Sequence, residues 1–279
     1  MRRRLFPRSW LLPVLALCFG VLSATAAPLR LATTTSTQNS GLLDHLLPAF
    51  QARTGIEVQV IAVGTGRALR LGEAGDVDVV MVHAPQAERR FVASGAGTQR
   101  FPFMKNAFLL VGPPDDPAHL RGETDVVQAL VRIARSGARF VSRGDDSGTH
   151  KKERALWQAA GLHPQGDWYI EAGQGMGKVL QMAGELGAYT LTDQGTWLAY
   201  RDRVALEPLV GGDPRLDNPY AVIPVDPRRH PHVNHRAAMA LVEWLRSPEG
   251  QRAIAAYRLH GRQAFVPTAI GPRRDETVP

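Results

Sequence analysis

Four times along this chain a strand-like run breaks at a turn rich in Gly, Ser and Thr and resumes as a helical pattern. The turns fall at residues 33–37, 64–66, 144–149 and 173–177. A strand leads into each turn and a helix starts from it, which constrains the chain to an α/β fold. In open α/β sheets such turns gather at the carboxyl edge of the strands, where ligands bind. Each turn also offers unpaired backbone N–H groups at a helix start, where the helix dipole favours negative charge.

The remaining pattern fits this class. Residues 29–32 alternate as a strand. Leu42, Leu43, Leu46, Leu47 and Phe50 form one helical face that Gly55 ends. Pro48 is expected to bend or shorten that helix. Residues 56–62 alternate again, completing a right-handed βαβ unit. Further strands are expected at 77–82, 107–111, 140–142, 188–191 and 220–225. Further helices are expected at 66–71, 149–160, 176–186, 237–245 and 248–257. The sheets are expected to be largely parallel. Two passages rich in Pro and Asp, 111–117 and 217–227, read as crossings between two lobes. Lobe one would then hold residues 27–111 and 219–279, and lobe two residues 112–218. The pattern alone also leaves open one doubly wound domain with loop insertions.

The amino-terminal 26 residues read as a secretory signal. Arg2, Arg3, Arg4 and Arg8 form a basic region, an apolar run of about a dozen residues follows, and Ala24-Thr25-Ala26 is a small-residue cleavage site. The apolar run is too short to span a bilayer comfortably. Arg3-Arg4 leaves the general secretory and twin-arginine routes both open. Cleavage would remove the only cysteine, Cys18, and with it any disulfide or thiolate chemistry. It would also remove four arginines and no acid. The net charge of +7 would then fall to +3, from 29 basic and 26 acidic residues. The basic character is therefore partly a property of the leader, and nucleic-acid binding gains no support.

The candidate chemistry lies in the turns. Residues 33–37 supply five hydroxyls in a row where a helix cap needs one. Arg143 directly follows a strand, so its guanidinium can fork onto an oxyanion, with Asp145 or Asp146 holding it. The glycines at 173, 175 and 177 match neither a P-loop nor a dinucleotide fingerprint. Ser147 lacks the G-x-S-x-G setting of a hydrolase nucleophile. His83, His119 and His163 are isolated, and His230, His232 and His235 sit in a Pro/Arg-rich turn that reads as a solvated loop rather than a metal site. No catalytic residue, resident metal or cofactor is indicated.

At these motifs the sequence resembles the periplasmic tungstate-binding proteins of ABC transporters. The resemblance rests on Thr33-Thr34-Thr35-Ser36-Thr37, Val63-Gly64-Thr65-Gly66 and Ser142-Arg143-Gly144-Asp145-Asp146-Ser147-Gly148-Thr149-His150. It extends through Gly173-Gln174-Gly175-Met176-Gly177, residues 189–196 and Asp217-Asn218-Pro219-Tyr220. It implies a two-lobed periplasmic binding protein of type II topology, with its ligand in the cleft between lobes. It places Thr34, Thr35, Ser36 and Thr65 on the ligand from lobe one, and Arg143, Ser147, Gly148 and Thr149 from lobe two. It implies a monomer working with a transporter permease and ATPase. Phosphate binders share the Arg…Ser-Gly-Thr turn but carry a carboxylate acceptor after the third strand. Here that place reads Val82-His83-Ala84-Pro85, which suits a proton-free dianion: tungstate, with molybdate inseparable from it by sequence. Phosphate or a small organic acid stays open as ligand, as does an exported hydrolase using the same turns. His83 reads equally as a donor to the ligand and as a wall residue.

Overall fold

The computed structural model describes residues 27–269. The secretory leader read from the sequence at 1–26 lies outside the described residues. The first half of the chain runs β1 (Leu29–Thr34), α1 (Thr35–Asn39), α2 (Leu42–Thr54), β2 (Val58–Val63), α3 (Thr65–Ala74), β3 (Val79–Val82), α4 (Pro85–Ala93) and β4 (Phe101–Gly112). The middle runs α5 (Val126–Ser136), β5 (Phe140–Ser142), α6 (Gly148–Ala159), β6 (Tyr169–Glu171), α7 (Met176–Leu186), β7 (Thr190–Asp193), α8 (Gln194–Tyr200) and β8 (Glu207–Val210). The chain then returns through β9 (Asp217–Pro224), α9 (His235–Arg246) and α10 (Pro248–Ala256) to three two-residue strands, β10 (Arg258–Leu259), β11 (Arg262–Gln263) and β12 (Val266–Pro267).

The main sheet has the order β12-β4-β9-β3-β1-β2. β1 pairs parallel with β2 and β3. β9 lies antiparallel between β3 and β4. Side chains alternate between the two faces, as strand geometry demands. Leu29, Leu31, Val79, Met81 and Val222 pack with the α2 and α9 residues in one core. Ala32, Val80, Val82 and Ile223 pack under α3 and α4 in another. A third core gathers Leu130 and Ile133 of α5 with Phe108, Leu110, Phe140 and Trp157.

β4 is shared between two regions. Its residues 101–107 pair with β9, whereas 108–112 pair with β7 and β8. Beyond it, β5 runs parallel to β6, and Val141 N donates to Tyr189 O at 2.8 Å, setting β5 beside the approach to β7.

Several expectations need correction. The sheets are mixed rather than largely parallel. β9 runs antiparallel to both its neighbours, β3 and β4, and β7 and β8 run antiparallel to β4. The strand expected at 107–111 is the end of a twelve-residue strand; Pro102 and Lys105 interrupt the apolar pattern of its first half. The strand expected at 188–191 forms its ladder at 190–193 instead. Residues 35–37, read as turn, belong to the short helix α1. Pro48 does not shorten its helix, since α2 runs on to Thr54. The missing bond and ring clash cost about 3 kcal/mol. Burial of Leu42, Leu43, Leu46 and Phe50 contributes about 1.5–3 kcal/mol each and outweighs it.

Candidate functional site

Each of the four turns starts a helix, and the four starts meet. Thr34 caps α1, accepting from Thr37 N at 3.2 Å. Ser147 caps α6, accepting from His150 N at 3.2 Å. α3 and α7 begin after Gly64 and Gly175, which carry no capping side chain. First-turn N–H groups therefore remain without an intrahelical partner at all four starts. Contact distances tie the starts together. A Cβ built on Gly148 would lie 3.2 Å from Thr65 Oγ1, one on Gly175 3.8 Å from Thr35 Oγ1, and one on Gly64 3.6 Å from Asp145 O. Gly148 is required here: a Cβ would also stand 2.9 Å from His83 Cε1.

Arg143 crosses between the two regions and is only 2 % exposed. Its Nε donates to Gln174 O at 3.2 Å, one terminal nitrogen to Ser36 Oγ at 3.1 Å, and the other to Thr35 Oγ1 at 3.4 Å. The latter nitrogen also pairs with an Asp145 carboxylate oxygen. The other Asp145 oxygen accepts from Ser147 N at 3.2 Å. Asp145 thus fixes both the guanidinium and the approach to α6.

Hydroxyl protons are the second resource of the site. Thr35 and Ser36 accept from Arg143, so each keeps its own proton for another acceptor. Ser147 Oγ likewise accepts from His150 N. Thr65 Oγ1 and Thr149 Oγ1 are buried with no hydrogen-bond partner. A buried unpaired hydroxyl costs about 1–3 kcal/mol, so Thr65 Oγ1, which faces the start of α6 at Gly148, marks a position built for something else to accept from it. What gathers here is a set of donors around one guanidinium, suited to a small oxyanion.

All eight residues implied by the resemblance therefore lie at this junction, in differing circumstances. Thr34 is turned toward Thr37 and toward His83 Nε2, 3.2 Å away. His83 is both a wall residue and a hydrogen-bonding one, with Nδ1 3.0 Å from Asn218 Oδ1. Burial pushes its pKa down, which keeps the ring neutral. The start of α7 and the polar residues Asn106 and Asn218 also belong to the surroundings. The glycine run at 173–177 points to the former; nothing local singles out Asn106.

Behind Arg143, Glu153 is buried and accepts from Ser142 Oγ at 2.8 Å, Tyr169 OH at 2.7 Å and Trp157 Nε1 at 3.2 Å. Burial pushes its carboxyl up to about 7. An open cleft of about 1090 Å³ adjoins the site, shared through His83 and Gly148 and edged by His150, Arg154 and Tyr169. The histidine loop lies elsewhere. His230 Nε2 and His232 Nε2 sit 2.9 Å from Glu73 O and Gly75 O, capping the last turn of α3.

A mixed sheet with helices on both faces, two strands that link its halves, and donors collected at the junction define a solute-binding protein of the PBP superfamily. A PBP superfamily domain matches residues 22–249. Tungstate-binding protein TupA of Peptoclostridium acidaminophilum is 49% identical over 243 residues, covering 86% of this chain and 85% of the relative. The structure of the tungstate ABC transporter protein from Geobacter sulfurreducens is 51% identical with a TM-score of 0.78, covering 83% of this chain and 99% of that one. Tungstate-binding protein TupA from Desulfovibrio alaskensis G20 is 46% identical with a TM-score of 0.75, covering 88% of this chain and all of that one. Within the superfamily, this chain belongs to the family of the tungstate-binding proteins.

Proposed function

We propose that this protein is the extracytoplasmic solute-binding component of an ABC transporter and captures tungstate, with molybdate as the next candidate. The observation that carries the reading is Arg143. It is buried and it reaches Thr35 and Ser36 from the opposite region. Similarity to tungstate-binding relatives selects the ligand among tetrahedral oxyanions.

In this reading residues 27–111 and 219–279 form lobe one, and residues 112–218 form lobe two. β4 and β9 act as the hinge strands. Open lobes admit the anion, and closure surrounds it with donors from both sides. Thr34, Thr35, Ser36 and Thr65 bind it from lobe one; Arg143, Ser147, Gly148 and Thr149 bind it from lobe two. The dianion keeps its charge while hydroxyls, helix-start N–H groups and the guanidinium replace its water. Charge-assisted bonds contribute about 1.5–3 kcal/mol each. Several of them reach the roughly 8 kcal/mol of a micromolar complex after association and closure costs.

The protein works by binding alone. Ser147 Oγ accepts from the backbone of His150, and His150 Nδ1 accepts from Asp146 N at 3.0 Å, so the imidazole is not a base for the serine. This argues against the hydrolase alternative. The leader through Ala26 would direct export to the periplasm, where the monomer would deliver its cargo to a permease and ATPase. Among the described residues no helix is long and apolar enough to cross a membrane.

A thermal-shift panel of tungstate, molybdate, sulfate, phosphate and a small dicarboxylate tests the ligand. At 100 times its Kd a ligand adds about 2.7 kcal/mol, several degrees for a chain of this size. Tungstate and molybdate are expected to give the largest shifts. A larger shift with phosphate or the dicarboxylate would overturn the assignment.

A further inference from the structure

His83 opens the short loop after β3 and is packed from three sides. Its ring stacks on Tyr220 at 4.7 Å and 21°, which fixes the ring plane. The start of α6 closes on its edge at Gly148. Its two nitrogens face Thr34 and Asn218. Asn218 Nδ2 lies 2.7 Å from Asn106 Oδ1 and 3.3 Å from Tyr220 OH. Asn106 and Asn218 are direct partners in the β4–β9 ladder. Thr34, His83, Asn218 and Asn106 thus form one buried file from the oxyanion site to the two strands that link the regions.

The file has two ways to carry its hydrogens. A neutral imidazole has one N–H. With Asn218 Oδ1 toward the ring, the proton sits on Nδ1, Nε2 accepts, and Thr34 gives its hydroxyl proton to the ring. That arrangement leaves Asn106 Nδ2 buried without an acceptor. Turning both carboxamides by 180° keeps their outline and reverses every bond. Asn106 Nδ2 then donates to Asn218 Oδ1, which also accepts from Tyr220 OH. Asn218 Nδ2 donates to His83 Nδ1, and Nε2–H donates to Thr34 Oγ1. The group left over is now a carbonyl oxygen, and buried proteins tolerate an under-used acceptor better than an orphaned N–H.

The reversal changes what Thr34 offers. Its oxygen already accepts from Thr37 N. Thr37 Oγ1 also lies 2.8 Å away and can donate or accept. When Thr34 Oγ1 accepts from His83 as well, both its lone pairs are taken and its own proton is released from the ring, to be shared between the site and Thr37 Oγ1. An anion without protons gains from each donor aimed at it.

We infer that His83 is a positioning residue for oxyanion capture: it holds its proton on Nε2, locked by Asn218 and Asn106, and so makes Thr34 a donor to the ligand. This rests on the oxyanion reading of the site. Burial, which lowers the His83 pKa, keeps a single proton on the ring; Asp193 opposes that shift and Arg143 and Lys152 add to it.

The test is NMR on protein labelled with 15N at histidine, free and with one equivalent of tungstate, using His83→Gln to assign the resonance. The expected result is a neutral His83 with its proton on Nε2 in the tungstate complex. A proton on Nδ1 alone overturns the inference. Calorimetry supplies an independent arm. His83→Leu should weaken tungstate binding about tenfold because the Thr34 proton is no longer steered. His83→Gln, whose amide nitrogen can still donate to Thr34, should stay within about threefold. Unchanged or tighter binding by His83→Leu would count against the inference, since a ring that takes the Thr34 proton would release it when removed. Wild-type protein that binds neither tungstate nor molybdate would instead remove the oxyanion reading, while the free-protein spectrum would still report which nitrogen carries the proton.

Discussion

Arg143 donates to four different partners while almost wholly buried, so charge and shape are both committed. Its truncation removes a fork that no neighbour replaces and leaves Asp145 facing the site as an uncompensated carboxylate. Arg143→Ala should therefore weaken tungstate binding by at least about 2 kcal/mol, roughly thirtyfold by calorimetry. Arg143→Lys should recover only part of this, because an ammonium restores the charge without the planar fork. Glu153 presents the opposite situation, a buried carboxyl with three donors and no cation. Its pKa of about 7 stands above that of an unfolded glutamate. The folded state then holds a proton that the unfolded state lacks between about pH 4.5 and 7. Its contribution to stability is full below that window and is lost as pH rises through it. Glu153→Gln, which cannot ionise, should remove this slope. Its advantage in unfolding free energy should grow with pH to on the order of 3 kcal/mol above pH 7. A constant difference from pH 5 to 8 in denaturant titrations would contradict the assignment.

At the scale of elements, α2 tolerates an interior proline because one face is anchored by Leu42, Leu43, Leu46 and Phe50. Pro48→Ala should restore the bond to Asp44 O and raise unfolding free energy by about 1 kcal/mol or more, visible as a higher Tm. The same elements show what local sequence carries. α6 and α7 are legible to within a residue because a Gly/Ser turn marks each start and an apolar stripe marks each length. α5 is absent from the expected helices, although Asp125 caps it and Val126, Val127, Leu130 and Ile133 form its buried face. The first half of β4 is hidden because its residues are fixed by β9, more than a hundred positions away, rather than by their own alternation. The site divides likewise. Arg143 and the hydroxyl turns announce themselves through composition in excess of capping needs. Asn106 has no such signal, since its significance arises only when β4 and β9 are side by side.

At the scale of the molecule, the two halves communicate through very few segments. β4 contributes to sheets on either side of the site, and β9 brings the chain back between β3 and β4. The proposed oxyanion site stands where these strands pass and draws residues from both regions. Movement of one region against the other must alter the distance from Arg143 to Thr35 and Ser36, and in the proposed reading this couples occupancy to closure.

The return of β9 has a bearing on how the molecule is assembled. β3 has β1 on one side, and only residues from the far end of the chain can cover the other. Until the polypeptide from Asp217 onward has arrived, the initial βαβ unit carries an open hydrogen-bonding border, and its apolar faces lack α9. A nascent chain in this condition cannot settle prematurely into a finished globule, which under the export proposed above would keep it open for passage through a translocation channel.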